Sequence, residues 1–354
     1  MSRTPRSTHA VVVHAAGDLR IDEVDLRRPD PDEAVVRVTY GGICGSDLHY
    51  WRDGAVGSAV LRAPMVLGHE VVGTVIESAA DLSGPPVGAS VAVHPATPGA
   101  DIDPPGRENL SRGGTYLGSA MDFPHTDGGF VHHLVVPTRM LRVVPAGLDH
   151  RRAVLAEPAA VAWHAVRQAG DVRGRSVAVV GGGPIGALSA AVARRDGASA
   201  VRVLDLFSRP VEAARELGAD GVLVSDEQSV AQIEADVVIE SSGSPAGLAL
   251  AIRIARRAGR VIMVGLLPAG DQPVPIAAAT RKELQLVGSF RFTEEMDEVV
   301  QALADGSLDV TGVVTHVVDA SDAVSAFETA SDARRSGKVL LSFGPTIPED
   351  SDRR

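Results

Sequence analysis

Between residues 176 and 265 the chain alternates apolar, strand-like runs with helical stretches, and this rhythm limits the possible folds more than any other feature. Strands that alternate with helices form a parallel sheet covered by helices on both faces. The predicted strands are SVAVV (176–180), AVRVL (200–204), DVVIE (236–240) and GRVIMVG (259–265), separated by helices predicted at 184–196, 208–217 and 245–257. The region is therefore predicted to be a doubly wound α/β domain, to which ELQLVGSF (283–290) adds a last strand.

A glycine-rich segment, GGGPIG (181–186), lies between the first of these strands and the first helix. A strand, a turn of this type and a helix N-terminus together bind the pyrophosphate of a dinucleotide in Rossmann-type domains. Asp205 closes the second strand, where its carboxylate can accept hydrogen bonds from the adenosine ribose and repel a 2′-phosphate, so NAD is predicted in preference to NADP. The predicted cofactor-binding residues are Gly181, Gly183, Pro184, Ile185, Gly186, Asp205 and Arg209.

Arg209 follows Asp205 by one helical turn and leaves several interpretations open. Its guanidinium can bind the 2′-phosphate of NADP, pair with Asp205 or contact the adenine face. Equally, it can be a surface arginine at the start of a helix. Because Asp205 opposes a phosphate in either case, NAD remains the predicted coenzyme.

The residues before Glu157 have a different texture, since their apolar runs are broken by glycine, proline and aspartate. The runs AVVRVTY (34–40), EVVGTVI (70–76) and ASVAVHP (89–95) predict short antiparallel strands with long connections. Residues 97–115 are rich in Pro, Gly and Asp and are predicted to be a surface excursion. A helix near 293–303 and a strand at 314–318 indicate a return to this first region. Two domains are the expectation for 354 residues.

Charge and composition exclude several partners. The formal net charge of −11 repels phosphate backbones and anionic lipids, so neither nucleic acid nor a membrane is an expected partner. The sequence has no apolar run of about 18 residues and no segment of signal-peptide type, which predicts a cytoplasmic protein. The single cysteine, Cys44, excludes an intramolecular disulfide and any metal site built from several thiolates.

Cys44 lies in the glycine-flanked segment GICGSDLH, and His69 and Glu70 follow in GHE (68–70). A thiolate, an imidazole and a carboxylate are ligands that zinc accepts, while a fourth position can remain for water or substrate. Taken singly, a buried cysteine is usually a small apolar residue, and a lone histidine is usually structural. Here two ionisable groups open an apolar strand and need compensation there, which favours a zinc site.

Three segments resemble the zinc-containing medium-chain dehydrogenases, and in particular their polyol dehydrogenase branch: GGICGSDLHYW, PMVLGHEVVGTV and LAEPAAVAWHAV. The resemblance extends over essentially the whole chain. It implies a GroES-like, mostly antiparallel β catalytic domain at 1–157 and an NAD-binding Rossmann domain at 158–292. Residues 293–354 would then return to the catalytic domain.

The resemblance also implies one catalytic zinc held by Cys44, His69 and Glu70, with Glu157 bound directly or through water. By itself, Glu157 would be a helix-cap or first-turn carboxylate. The metal supplies the Lewis acidity that lets an alcohol lose its proton near neutral pH. Glu157 belongs to the implied catalytic set.

Ser46 and His49, close to Cys44, take a further role by resemblance, whereas the role of Asp47 follows from the chemistry of a carboxylate next to a ligating histidine. Ser46 and His49 relay the released proton towards solvent. Asp47 would hold the far ring nitrogen of the ligating histidine and so fix its orientation. Without the resemblance, Ser46 and His49 are turn residues, and the alternative for Asp47 is the cap of an Asx turn.

Two segments, GSAMDFPHTDGGF (118–130) and GSFRFT (288–293), resemble the L-idonate 5-dehydrogenases more closely than the sorbitol dehydrogenases. This implies oxidation of L-idonate to 5-keto-D-gluconate, in which Arg291 would bind the substrate carboxylate or hydroxyls. Tyr50, Phe123 and His125 are further predicted substrate residues, as pocket walls. A neutral polyol such as sorbitol or xylitol is the alternative substrate. A nucleotide-binding protein without catalysis, resembling the lens crystallins, is the alternative of a different class.

The relatives of this kind carry a cysteine-rich lobe with a structural zinc where this chain has TPGADIDPPGRENLSR. Because these residues include no cysteine, one catalytic zinc per chain and no structural zinc are expected. The expected partners are a small sugar acid or polyol and further copies of the chain, in a homodimer or homotetramer.

Overall fold

The computed structural model describes residues 7–344. The strands before residue 150 are β1 (Ser7–Ala15), β2 (Asp18–Asp25), β3 (Glu33–Gly42), β4 (Ala55–Val56), β5 (Ala59–Val60), β6 (Met65–Val66), β7 (Glu70–Glu77), β8 (Ser90–Val93), β9 (Ala96–Thr97), β10 (Thr115–Tyr116), β11 (His133–Pro137) and β12 (Leu141–Val143). The later strands are β13 (Ser176–Val180), β14 (Ala200–Asp205), β15 (Asp220–Leu223), β16 (Ala235–Glu240), β17 (Ala255–Met263), β18 (Gln285–Gly288), β19 (Val314–Asp319) and β20 (Lys338–Ser342). The α-helices are α1 (Gly45–Asp53), α2 (His150–Ala153), α3 (Ala156–Gln168), α4 (Pro184–Arg195), α5 (Ser208–Glu216), α6 (Glu227–Ala231), α7 (Pro245–Ile254), α8 (Ile276–Arg281), α9 (Glu295–Ala304) and α10 (Ala323–Ala330).

Strands β13 to β18 form one sheet in the order β15-β14-β13-β16-β17-β18, and every neighbouring pair is parallel. The side chains from Val177 to Val180 are buried because helices cover both faces of the sheet. The first strand, β13, lies in the middle, so the chain winds outward in both directions. This arrangement confirms the predicted Rossmann-type, doubly wound sheet.

A second large sheet has the order β12-β8-β7-β3-β20-β19, with β11 also paired to β3. All of its pairs are antiparallel except β19 with β20. The mostly antiparallel β domain is therefore confirmed as well. Strands β19 and β20 come from the end of the chain, and Leu340 pairs with Gly42 of β3. The division at 1–157, 158–292 and 293–354 stays a prediction.

Most predicted elements agree closely with the observed ones, but the helix predicted at 245–257 is too long. Helix α7 ends at Ile254, and β17 begins at Ala255, which pairs with Ala235 of β16. The Lys282 ammonium donates to the carbonyls of Arg253 and Ala255, at 2.7 Å each, and so satisfies groups at the helix end. A residue distant in sequence thus helps to end the helix, and the local sequence carries no such signal.

Residues 98–114, called the lobe below, connect β9 and β10, which form a separate two-stranded sheet. These two strands pair antiparallel, with Tyr116 opposite Ala96. The lobe contains one short 3-10 helix, Glu108–Leu110, and most of its other residues are exposed, as predicted for a surface excursion. Within residues 7–344, no helix is long and apolar enough to cross a membrane.

A buried polar contact joins α3 to α9. His164 Nδ1 lies 2.8 Å from Glu295 Oε1, and the backbone N–H of Thr293 donates to Glu295 Oε2 at 2.7 Å. Burial by itself would raise the pKa of Glu295, but the bonds from His164 and Thr293 outweigh it and lower that pKa to about 2. The ionised carboxylate therefore stabilises the packing of the two helices.

We expect the Glu295→Gln variant to lose stability in a pH-dependent way. The lowered pKa of Glu295 makes its contribution full above pH 4.5 and lost as the pH falls towards 2. The wild type should exceed the variant by about 3 kcal/mol in free energy of unfolding at pH 6, and by progressively less below pH 4.5. Denaturant unfolding at several pH values measures this difference.

Glu298→Gln is the matched control, because Glu298 pairs with Arg167 between the same helices but is half exposed. Its loss should stay below about 1 kcal/mol. Equal losses for the two variants at pH 6 would contradict a special role for the buried carboxylate.

Candidate active site

The antiparallel pairing of β3 with β7 brings Cys44, His69 and Glu70 together. Gly42 at the end of β3 pairs with Glu70 at the start of β7, and Cys44 follows just before α1. The cysteine sulfur, a histidine ring nitrogen and a carboxylate oxygen all lie within 4.8 Å of one another. A Cβ at position 42 would lie 2.1 Å from Glu70 Oε2, so only glycine leaves room for the Glu70 carboxylate at this end of β3. Donor types and spacing suit a zinc ion.

Glu70 is fully buried, and its two carboxylate oxygens have different surroundings. The Lys338 ammonium donates to Oε1 at 2.6 Å and to the Ile43 carbonyl at 3.0 Å. Oε2 has no hydrogen-bond partner within residues 7–344. A buried carboxylate oxygen without a partner is costly unless a cation binds it. This free oxygen therefore fits a metal ligand.

The electrostatics of the cluster also favour a cation. Burial raises the pKa of Glu70 to about 7, with a further rise from Glu157, although Lys338 and His69 act against it. Burial would lower the pKa of His69, but Asp47 and Cys44 outweigh it and raise that pKa to about 10. Several acidic groups thus share one small apolar volume, and a divalent cation would compensate them.

Asp47 connects the two segments that carry the three clustered residues. Its side chain is completely buried; Oδ2 accepts the Cys44 backbone N–H at 2.9 Å, and Oδ1 accepts that of Gly68 at 3.2 Å. Oδ1 also lies 3.9 Å from His69 Nδ1. Asp47 is therefore placed to orient both the thiol and the imidazole, the role that the sequence predicts for it.

Glu157 lies in the first turn of α3 and is buried close to the cluster, outside the group of atoms within 4.8 Å. The Tyr116 hydroxyl donates to Glu157 Oε1 at 2.5 Å. Burial raises the pKa of Tyr116 well above its ordinary value, and Glu157 raises it further, so the phenol remains a donor. Direct binding of Glu157 to the metal and binding through water both remain predictions.

Ser46 and His49 both lie on α1. Ser46 is partly buried beside Cys44, whereas the His49 side chain is 58% exposed and has Nδ1 2.9 Å from Asp53 Oδ2. The helix thus leads from the metal cluster to the surface. Their proton-relay roles remain a prediction, which this placement suits.

The nucleotide site is a cavity of about 820 Å³ at the carboxyl ends of β13, β14 and β16. Gly181, Gly183, Asp205 and Ser241 are among its lining residues. Pro184, Ile185 and Gly186 form the first turn of α4 behind this lining. A Cβ at Gly186 would lie 1.8 Å from the Gly181 carbonyl, so the turn and helix can approach only with glycine there.

Asp205 accepts the backbone N–H of Gly182 at 2.7 Å and of Phe207 at 3.0 Å. Each carboxylate oxygen can accept a further bond, so the group can still bind ribose hydroxyls. Arg209 is not among the residues that line the cavity; its guanidinium lies close to Gly337 and is half-buried. A cofactor contact for Arg209 therefore remains a prediction that the geometry does not favour.

Arg291 lies beside the metal cluster, in a smaller cavity of about 290 Å³ that it lines with Tyr116 and Ser119. Its guanidinium carbon lies 4.0 Å from the Tyr116 ring centroid. Burial lowers the pKa of Arg291, although Tyr116 and Glu157 act against that shift. The position suits a group that binds an anionic or hydroxylated substrate.

The other predicted substrate residues lie outside this smaller cavity. The Tyr50 hydroxyl accepts the Ala120 backbone N–H at 2.9 Å. Phe123 is 58% exposed, and its ring packs edge-on against His125 at 5.3 Å. His125 lies 2.8 Å from the Arg62 backbone nitrogen and 2.9 Å from the Asp122 carbonyl, so one distant and one local partner fix its ring. The structure thus does not place Phe123 and His125 as walls of the cavity beside Arg291.

Sequence reasoning missed two residues of the site, Tyr116 and Lys338. Lys338 carries one detectable signal, since a lysine directly before the apolar run VLLSF needs a buried partner. Tyr116 carries none, because an aromatic residue after a glycine-rich loop is common in any β protein.

Comparisons with known proteins agree with this geometry. Residues 30–146 match the family described as alcohol dehydrogenase GroES-like domain, and residues 184–305 match zinc-binding dehydrogenase. L-idonate 5-dehydrogenase (NAD(P)(+)) of Escherichia coli K12 is 36% identical over 87% of this chain and 91% of its own length. The chain belongs to the polyol branch of the zinc-dependent medium-chain dehydrogenases. It is a zinc-dependent oxidoreductase that acts on CH–OH donors and uses NAD(P).

Other relatives place this dehydrogenase in the same branch. Sorbitol dehydrogenase of Gallus gallus is 34% identical over 95% of the chain and 97% of its own length. The crystal structure of the Escherichia coli L-idonate 5-dehydrogenase superposes with a TM-score of 0.89, at 34% identity over 95% of this chain and 98% of that one. A Sinorhizobium meliloti structure, described as a zinc-binding dehydrogenase bound to NADP, has a TM-score of 0.85 at 26% identity, covering 95% and 99% of the two chains.

We expect Lys338→Met to destabilise the metal-depleted dehydrogenase by about 3–5 kcal/mol, because it removes the ammonium that contacts the buried Glu70 carboxylate. Denaturant unfolding of chelator-treated protein measures the loss. The double variant Lys338→Met, Glu70→Gln should lose less than the two single variants added together. A Lys338→Met protein with wild-type stability would contradict this account of the pair.

Proposed function

We propose that this dehydrogenase oxidises a secondary hydroxyl of a sugar acid, with L-idonate to 5-keto-D-gluconate as the specific reaction. One observation supports an acid over a neutral polyol: the half-buried Arg291 guanidinium lies on the Tyr116 ring, whose hydroxyl binds Glu157. A cation thus lies one side chain away from the metal cluster. A substrate with a carboxylate at one end and a reactive hydroxyl further along would contact both.

We propose that Cys44, His69 and Glu70 hold a single catalytic zinc, with Glu157 as the further ligand or as the acceptor of a bond from bound water. When bound, zinc supplies the Lewis acidity that lowers the pKa of the substrate hydroxyl. No structural zinc is proposed, because the lobe has no cysteine. Asp47 orients His69, and Ser46 and His49 carry the released proton along α1.

We propose NAD as the preferred coenzyme. Gly181 and Gly183 let the pyrophosphate approach the N-terminus of α4, and the remaining acceptor sites of Asp205 suit both ribose hydroxyls. The same carboxylate would repel a 2′-phosphate. A dimer or tetramer, and a cytoplasmic location, stay predictions of the sequence.

NADH formation tests the substrate proposal directly. With NAD, kcat/KM should be higher for L-idonate than for sorbitol or xylitol, and it should fall when NADP replaces NAD. Arg291→Gln should lose more activity towards L-idonate than towards sorbitol, because only L-idonate carries a carboxylate. Activity on sorbitol with none on L-idonate would reject the acid and favour the sorbitol dehydrogenase alternative.

Cys44→Ser provides the control that separates the catalytic site from the nucleotide site. The variant should keep wild-type NADH affinity, measured by fluorescence titration, while losing zinc and turnover. A wild-type protein that binds NADH but retains no zinc after careful purification would reject the catalytic proposal. It would then favour a nucleotide-binding protein without catalysis.

A further inference from the structure

The Tyr116 hydroxyl donates a short hydrogen bond to the Glu157 carboxylate. Tyr116 is 8% exposed and Glu157 is 4% exposed, and the hydroxyl lies 2.5 Å from Oε1. Hydrogen bonds to an ionised acceptor are short and stronger than neutral ones. The Glu157 carboxylate therefore has one oxygen held by this phenol, which leaves Oε2 for other partners.

Three different parts of the chain fix the Tyr116 ring. Its backbone belongs to β10, which pairs with β9 and closes the lobe. The Arg291 guanidinium covers the ring at 4.0 Å, and the His69 ring centroid lies 5.6 Å from that of Tyr116. Tyr116 thus contacts three residues of the proposed site: His69, Glu157 and Arg291.

We propose that Tyr116 is a positioning residue, whose hydroxyl holds Glu157 in the orientation that the metal centre requires and whose ring seats Arg291. The inference rests on the function proposed above. Its basis is geometric: a single side chain touches both Glu157 and Arg291. The orientation of the carboxylate and the position of the substrate cation are therefore set together.

If Tyr116 positions Glu157 and Arg291, the lobe has a structural role at the active site. Its residue Asn109 is buried and donates from Nδ2 to the Phe290 carbonyl at 2.7 Å, one residue before Arg291. At its other end the lobe leads directly into Thr115 and Tyr116 of β10. The lobe has no cysteine ligands, but it is hydrogen-bonded to the residue that precedes Arg291 and runs directly into Tyr116. It supports the active site through these two contacts.

Tyr116→Phe tests the proposal, because it removes the hydroxyl and keeps the ring beneath Arg291. Outer groups that orient metal ligands typically change metal affinity or activity by about 10- to 100-fold. We expect zinc affinity, measured by chelator competition, to fall by about this factor. The visible absorption of the cobalt-substituted protein should change, and kcat for L-idonate should fall while KM for NAD stays constant.

Tyr40→Phe is the matched control, since Tyr40 lies on β3 and packs against the apolar core to which α3 and the parallel sheet contribute. It should retain wild-type zinc affinity and cobalt absorption. A double-mutant cycle with Glu157→Gln distinguishes positioning from a general structural effect. In the Glu157→Gln background, Tyr116→Phe should change zinc affinity by less than about twofold, because its partner is already altered.

Two results would overturn the inference while leaving the proposed function intact. One is a Tyr116→Phe protein with wild-type zinc affinity and cobalt absorption. The other is a fall in zinc affinity that is as large when Tyr116→Phe is added to Glu157→Gln as when it is made in the wild type. That result would show that Tyr116 does not act through Glu157. A wild-type protein without zinc is a separate outcome, which overturns the proposed function and this inference together.

Discussion

The buried carboxylate of Glu70 joins regions of the chain that are far apart in sequence. Gly42 of β3 pairs with it, Lys338 at the start of β20 neutralises one of its oxygens, and Cys44 and His69 lie beside it. An ion pair of this kind adds little net stability but is expensive to break. The negative charge of Glu70 is therefore compensated by Lys338 only when β20 is paired with β3. The catalytic site is complete only when the end of the chain has returned to the beginning.

The two halves of the active site follow different physical rules. At the nucleotide site, backbone geometry dominates: Gly186 lets the turn and α4 approach closely, and the Asp205 carboxylate is held by two backbone N–H groups. At the proposed metal centre, electrostatics dominates. Asp47, Glu70 and Glu157 lie close together, and burial raises the pKa of Asp47 and of Glu70. A bound divalent cation reverses that penalty. Arg291, on the Tyr116 ring, places a positive charge next to these acidic groups.

The fold and most of the site could be predicted from sequence, because the signals are local. The strand–helix rhythm gives the parallel sheet, and GGGPIG with Asp205 gives the nucleotide site. Cys44 and His69-Glu70 stand in short segments whose residue types suit zinc. Long-range contacts could not be predicted: Lys282 bonds to the end of α7, Lys338 pairs with Glu70, and the Tyr116 hydroxyl bonds to Glu157 of α3. Phe123 and His125 remain predicted substrate residues, although they lie outside the Arg291 cavity and His125 is bonded to Arg62 and Asp122.

The central claim is a single zinc site with one thiolate and otherwise nitrogen and oxygen ligands. Metal analysis combined with zinc X-ray absorption spectroscopy of the purified protein tests it most directly. The account predicts one zinc per chain, with one sulfur at about 2.3 Å and the remaining ligands at about 2.0–2.2 Å. A second tightly bound zinc, or a zinc without any sulfur ligand, would contradict it.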